Sequence, residues 1–362
     1  MPKKSKTKKP LTYARTGVLA KDAEQSFKTL IAWVNKTLAN RPEVKTEVGL
    51  YATVIDIGHG QGLALSTDGV GTKLFIAQML GRYDTVGIDC IAMNVNDLIC
   101  VGAKPIAMLD YIAIQNARHP LLGELGEGLY HGALQAGITI PAGEVAQLKE
   151  MIRGVKPGLG FDLVGAAVGI VPLDKLVVGE GIERGDAVVG LKSSGLHSNG
   201  YTLARKVLLG KYKLSHKPRG LGRALGDELL EPTRIYVKPA LQMMERLNVK
   251  ALIHITGEGF RNLRRVRSAV GFVLEHFPQI PPIFKLIQKE GKIENTEMAH
   301  TFNLGVGLCV VVPKQEADQV IAISREHGIP AQVIGHAVKD PEKKIHLPAL
   351  KVVGKADRFY SE

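Results

Sequence analysis

The chain has 362 residues, 45% of them apolar and 23% charged, which is too long for one ordinary core and points to two globular domains. No run approaches the roughly 18 consecutive apolar residues of a membrane helix, and the lysine-rich start lacks the apolar segment of a signal peptide, so a cytosolic protein is expected. The net charge of +12 suggests a nucleic-acid partner, but Lys3, Lys4, Lys6, Lys8 and Lys9 sit in residues 1–10, a tail expected to be disordered. Aromatics are only 5% of the chain and none alternates with basic residues as a base-stacking platform requires, which leaves anionic small molecules as the better fit.

Cys90, Cys100 and Cys309 are the only cysteines. An odd number without a Cys-x-x-Cys pair argues against a disulfide framework or a zinc knuckle and for reduced thiols in a core. In chain order, residues 22 to 39 read as a helix with apolar positions at Phe27, Leu30, Ile31, Val34 and Leu38, closed by Asn40-Arg41-Pro42. Strands are expected at 51 to 57, 62 to 66, 106 to 114 and 162 to 171, with helices at 72 to 82, 87 to 101 and 122 to 136. Gly58-His59-Gly60-Gln61-Gly62 lies between two strands and opens no helix, so it reads as a hairpin turn rather than a dinucleotide fingerprint.

Asp68-Gly69-Val70-Gly71-Thr72-Lys73 follows a short apolar strand and precedes an apolar helix. Its glycines let the backbone approach a ligand, amides at a helix start favour an anion, and Lys73 adds a positive charge, so a phosphate would fit. A tight turn with a solvated lysine explains the same residues, and no Walker A pattern occurs at this position. The next helix, 87 to 101, is mostly apolar yet carries Asp89, Asn94, Asn96 and Asp97. At a helical period Asp89 and Asp97 fall near one face with Asn96 beside them. With Asp68 from the turn, these oxygens suit Mg²⁺, which takes one or two carboxylates and completes its shell with water and phosphate. The competing explanation is an acidic helix start and internal hydrogen bonds.

The pattern restarts near Pro172, which places the boundary between residues 11–173 and 174–362. In the second part, Ser193-Ser194-Gly195-Leu196-His197-Ser198-Asn199-Gly200 precedes a helix beginning at Tyr201. Such a loop offers amides and hydroxyls to an oxyanion, although a bare N-cap needs only Ser198 or Asn199. His254-Ile255-Thr256-Gly257-Glu258-Gly259-Phe260 forms a similar loop, in which a lone histidine is more often a satisfied structural residue than a catalyst. Arg261, Arg264, Arg265 and Arg267 fit a phosphate contact or, more simply, a solvated helix face. A β-α-β unit is expected from Val306 to Val338.

These pieces, in this order, resemble the phosphoribosylformylglycinamidine cyclo-ligase family, the aminoimidazole ribonucleotide synthetases, along nearly the whole chain. The resemblance rests on Leu11-Thr12-Tyr13 with Gly17-Val18, Arg41 to Val44, Asp68 to Lys73, Gly87-Ile88-Asp89, Val95 to Leu98, and Leu109-Asp110-Tyr111. It continues through Gly143-Glu144, Ser194-Gly195 with His197 to Tyr201, Pro232 to Lys238, His254 with Thr256-Gly257, and Thr301-Phe302-Asn303 with Gly305 to Gly307. Pro232 to Lys238 and His197 to Tyr201 separate cyclo-ligases from relatives that share the nucleotide half.

The resemblance implies an α/β (α+β) fold: a two-domain ATP-using synthetase, with an N-terminal mixed sheet that pairs in a homodimer and a C-terminal α/β domain. It implies ATP-dependent ring closure of a small-molecule nucleotide substrate. ATP would be met by Asp68, Gly69, Gly71, Thr72, Lys73, Asp89, Asn96 and Asp110, and Mg²⁺ by Asp68, Asp97 and Glu144. Ser194, Gly195, His197, Ser198, Asn199 and Gly200 would take the substrate's phosphate, with His254 and Lys73 in catalytic roles. The chain departs from the family pattern at Ala14-Arg15, along 45 to 51, at Ala142 to Lys149 where Gln147 stands for a carboxylate, and at Glu258. Glu258 is expected to face solvent. A relative phosphorylating another oxygen and a non-enzymatic binding protein are the alternative readings.

Overall fold

In the computed structural model residues 21–362 are described; the basic tail at 1–10, the family-like pieces at 11–18 and the departure at Ala14-Arg15 lie outside them. After α1 (Lys21–Asn35) the chain builds a mixed sheet from β1 (Thr53–Asp56), β2 (Gln61–Gly69), β3 (Lys104–Ile114), β4 (Gly143–Gln147) and β5 (Phe161–Pro172), in the order β1-β2-β5-β3-β4. Neighbours are antiparallel except β3 and β4, which run parallel. The glycine-rich Gly58 to Gly62 segment is the β1–β2 hairpin turn, with Gly58, His59 and Gly60 all at positive φ.

Alternation gives the sheet two unlike faces. Along β5, Phe161, Leu163, Gly165, Ala167, Gly169 and Val171 are buried, and α3 (Asp84–Ile99) covers that side, with α4 (His119–Ala136) packed on α3. On the other side Leu65, Leu109 and Tyr111 are 37%, 45% and 42% exposed. A short 3₁₀ turn over Gly71–Lys73 leads from β2 into α2 (Leu74–Leu80).

The second sheet holds β6 (Ala187–Lys192), β7 (Ala251–His254), β8 (Val270–Val273), β9 (Val306–Val312), β10 (Ala331–Lys339), β11 (Ile345–Leu347), β12 (Val352–Lys355) and β13 (Arg358–Ser361). Its order is β13-β12-β11-β8-β10-β6-β9-β7. With it come α5 (Tyr201–Leu208), α6 (Leu225–Leu230), α7 (Val237–Arg246), α8 (Pro282–Gly291), α9 (Asn295–Thr301) and α10 (Ala317–Glu326). The expected β-α-β unit is split: β6 lies between β9 and β10, antiparallel to both. Periodicity marks β9, α10 and β10, but it carries no trace of a strand inserted from more than 100 residues earlier.

No described helix is long and apolar enough to cross a membrane. All three cysteines are free and buried.

Candidate active site

The turn after β2 does not present its lysine outward. Lys73 is fully buried, its ammonium 2.9 Å from Asp89 Oδ1 and 2.8 Å from Oδ2, and it donates to the Glu231 carbonyl at 2.6 Å. Burial pulls the Lys73 ammonium below its usual range and pushes the Asp89 carboxyl up. Asp89 Oδ1 also accepts from the Thr233 amide at 2.7 Å, the Thr233 hydroxyl at 2.6 Å and the Ser198 hydroxyl at 3.3 Å. Lys73 and Asp89, expected to meet ATP, are paired with each other inside the protein, since an unpaired charge at that depth is too costly.

Asn96 is likewise buried, donating to the Arg234 carbonyl and accepting from the Tyr236 amide, so its amide holds the 234–236 segment and is not free for nucleotide. Asn94 clips α3 to β2, accepting from the Asp68 amide and donating to the Asp68 carbonyl. Asp97 alone among these polar groups meets a histidine of the second sheet. Eight residues carry about 12 Å along a helix and about 80° around it, which separates Asp97 from Asp89 and sends the two carboxylates to different partners.

Asp97 Oδ1 lies 2.9 Å from His254 Nδ1 at the end of β7. His254 is fully buried, and its Nε2 has no hydrogen-bond partner among the described residues. Asp68 faces the same pair: burial first, then the Asp97 charge, raise its carboxyl to about 6, and the nearby His254 draws it back down. Its Oδ1 accepts from the Gly69 amide at 2.7 Å.

Asp68 and Asp110 both oppose Gly165 of β5, on the helix-covered face and two strand spacings apart, about 10 Å. Asp110 sits over Gly143, where an added Cβ would fall 2.4 Å from its Oδ1. Glu144 pairs with Tyr111 on the opposite, open face. Glu144 therefore does not join Asp68 and Asp97 within one chain, and no cluster of three or more metal-ligating side chains forms among the described residues. Strand alternation explains this correction: neighbours in sequence point to opposite sides.

The loop before α5 is mostly internal. Asn303 holds it from below, donating to the Gly195 and Leu196 carbonyls and accepting from the Ser193 hydroxyl. His197 takes a left-handed backbone, and its Nε2 accepts from the Ser194 amide at 3.2 Å; burial keeps this ring neutral. Ser194 donates to the Pro232 carbonyl. Gly200 has φ +76°, and a Cβ there would lie 2.3 Å from the Phe302 ring, so only glycine fits. Asn199 remains, its Nδ2 without a described partner, beside Gly257 of the His254 loop. Thr72 of the turn after β2 lies 3.2 Å from Thr202 of α5, hydroxyl to hydroxyl.

The arginine cluster is not a solvated face. Arg261 pairs with Glu258, Arg264 donates to the Glu342 and Lys343 carbonyls, Arg265 reaches Glu258 and lies over the Tyr51 ring, and Arg267 binds Glu47 and Glu180. Glu258 is 44% exposed by side chain within these ion pairs. Thr233, Asn303 and Tyr51 have no individual role in the sequence reading, and Arg265 only that of one member of a basic cluster. The first two lie in family-like stretches, which is the only signal they offered.

Two family models match, AIR synthase related protein N-terminal domain over residues 49–171 and its C-terminal domain over 183–348. The phosphoribosylformylglycinamidine cyclo-ligase of Methanocaldococcus jannaschii is 43% identical over 97% of this chain and 98% of its own. The chain belongs to the cyclo-ligase family. The Thermococcus kodakarensis member is 42% identical, covering 94% of this chain and all of its own. Among solved structures, AaThiL complexed with AMPPCP and TMP aligns at a TM-score of 0.63 with 18% identity, covering 91% of this chain and 95% of its own, a likeness of fold.

Proposed function

We propose that the cleft between the two sheets performs the family's ATP-dependent ring closure, converting formylglycinamidine ribonucleotide to aminoimidazole ribonucleotide in purine biosynthesis. The observation that carries this reading is the convergence of Asp68, Asp97 and His254, with Asn199 of the 194–200 loop, whose Nδ2 has no partner among the described residues, against Gly257 of the His254 loop. A poor amide-type leaving oxygen is first phosphorylated from ATP. The amidine nitrogen then attacks that carbon, and phosphate departs with the oxygen.

Asp68 and Asp97 fit a divalent cation. Two oxygen ligands whose charges oppose one another are relieved by Mg²⁺, which needs only one or two carboxylates. Mg²⁺ held there would neutralise charge on the ATP phosphates. Gly69, Gly71 and Thr72 supply backbone and hydroxyl groups beside it, and Asp110 bounds the far side. Asp97 orients the His254 ring through Nδ1–H, leaving Nε2 to take the proton released as the amidine nitrogen closes the ring. Asn199 and the 194–200 loop hold the ribose phosphate.

The open face of the first sheet, with Leu65, Leu109 and Tyr111, supports a homodimer in which the two copies pair through these sheets, and Glu144 lies on that same face. A cytosolic enzyme with reduced core thiols is consistent with the buried cysteines.

The deciding experiment supplies formylglycinamidine ribonucleotide, ATP and Mg²⁺ and follows aminoimidazole ribonucleotide and ADP together. Equal formation of both is expected; ADP without imidazole, or neither product, refutes the assignment.

A further inference from the structure

His254 is held at both ends. Its ring meets Asp97, while its main-chain carbonyl accepts a hydrogen bond at 3.0 Å from the Tyr51 hydroxyl, 203 residues earlier in the chain. Tyr51 is buried, and burial holds its phenol well above the ordinary range, so it donates throughout the working pH range. The ring is fixed in turn by the Arg265 guanidinium, 4.9 Å from its centroid, and Arg265 Nη2 lies 3.3 Å from Glu258 Oε2. Glu258 stands four residues after His254 in the loop that reaches Asn199. The segment that delivers Tyr51 is fastened to the same place, since Arg267 Nη2 donates to the Lys45 carbonyl at 2.9 Å and meets Glu47 at 3.0 Å.

Tyr51 and Glu258 meet in space through one arginine, Arg265. We propose that Tyr51, Arg265 and Glu258 form a clamp that positions His254 for the ring-closing step. The proposal rests on the reading of His254 as the proton-accepting group. The physical reason is leverage. Asp97 sets the ring's rotation, but the place of Nε2 also depends on the backbone at the end of a strand of only four residues, where an anchored carbonyl removes the remaining freedom. These are positioning residues, since none is offered as touching substrate.

The test is a double-mutant cycle in the full chain. Tyr51→Phe keeps the ring over which Arg265 lies and removes only the donor to His254. It is expected to lower kcat about tenfold, with KM for ATP and for the ribonucleotide unchanged within about twofold, since positioning is felt in the transition state. Placed on His254→Gln, the same change is expected to cost nothing further. Arg265→Lys, which keeps the charge but not the flat stacking surface, should reproduce the kcat loss and likewise vanish in the His254→Gln background. An equal loss in both backgrounds makes the contacts structural glue and overturns the clamp, as does an unaltered kcat in Tyr51→Phe while His254→Gln keeps only a small, measurable rate. Full activity in His254→Gln overturns the reading of His254 and the clamp with it.

Discussion

Asp89 and Lys73 sit together without solvent exposure on either side chain, and the cost of that arrangement is met only because every neighbour contributes. Thr233 supplies two donors to one carboxylate oxygen and Glu231 supplies a carbonyl to the ammonium. Removing one partner alone leaves a buried charge, so Lys73→Met is expected to destabilise the protein by about 3–5 kcal/mol. The double substitution Lys73→Met with Asp89→Asn keeps an amide oxygen for Thr233 and removes both charges, and it should recover most of that loss in urea melts. A double variant no more stable than the single one would contradict the pairing. Asp68 makes the opposite kind of prediction. Its folded pKa of about 6 lies above the usual 3.8, so the unfolded chain ionises first as pH rises. The folded state therefore loses stability between about pH 4 and 6 and does not regain it above. Asp68→Asn should thus be more stable than the wild type at pH 7, by on the order of 3 kcal/mol, and nearly the same as the wild type at pH 4. A difference of the same size at both values would show that ionisation is not the cause.

On the scale of elements, α3 shows what a sequence discloses and what it withholds. Its length, its apolar character and the oddity of Asp89, Asn94, Asn96 and Asp97 inside it are all visible in the residues. Their targets are not, because each is decided by a partner distant in sequence: Thr233 for Asp89, Tyr236 for Asn96, β2 for Asn94 and His254 for Asp97. Rotation of about 80° over eight residues is small enough to suggest one face in a linear reading and large enough to serve two different sites. The hairpin at Gly58 to Gly62 and the strands β1, β2, β3, β5, β9 and β10 were legible because local turn chemistry and alternation determine them. The place of Lys73 was not, since a lysine after two glycines looks solvated until a second sheet closes over it. Asn96→Ala tests the element's role as an anchor. It strips the Tyr236 amide of its acceptor, and exchange at residues 234–236 should quicken by about two orders of magnitude, in line with a loss of roughly 2–3 kcal/mol. Unchanged protection would remove Asn96 from that role.

The molecule as a whole is two sheets of unlike finish. The larger one buries β9, the neighbour of its edge strand β7, along its full length, whereas the smaller one leaves Leu65, Leu109 and Tyr111 on an open side. If that side is where two copies meet, Leu109→Glu places a charge in each half of the contact, twice over by symmetry. Sedimentation should then report monomers in place of dimers, with thermal stability falling as the partner is lost. Dimers of undiminished strength would move the contact elsewhere.

The polar clips of α3 also set a timetable. Lys73, Asp89 and Asn96 are made early in synthesis, yet their partners at 231–236 emerge from the ribosome well over 100 residues later. Until then the first half carries a charged pair and an amide that cannot be sealed from water. The native helix environment is therefore a late event, completed across the two halves together and slowed by the long loop that must close. During that interval the nascent first half is the stretch most in need of a chaperone's protection.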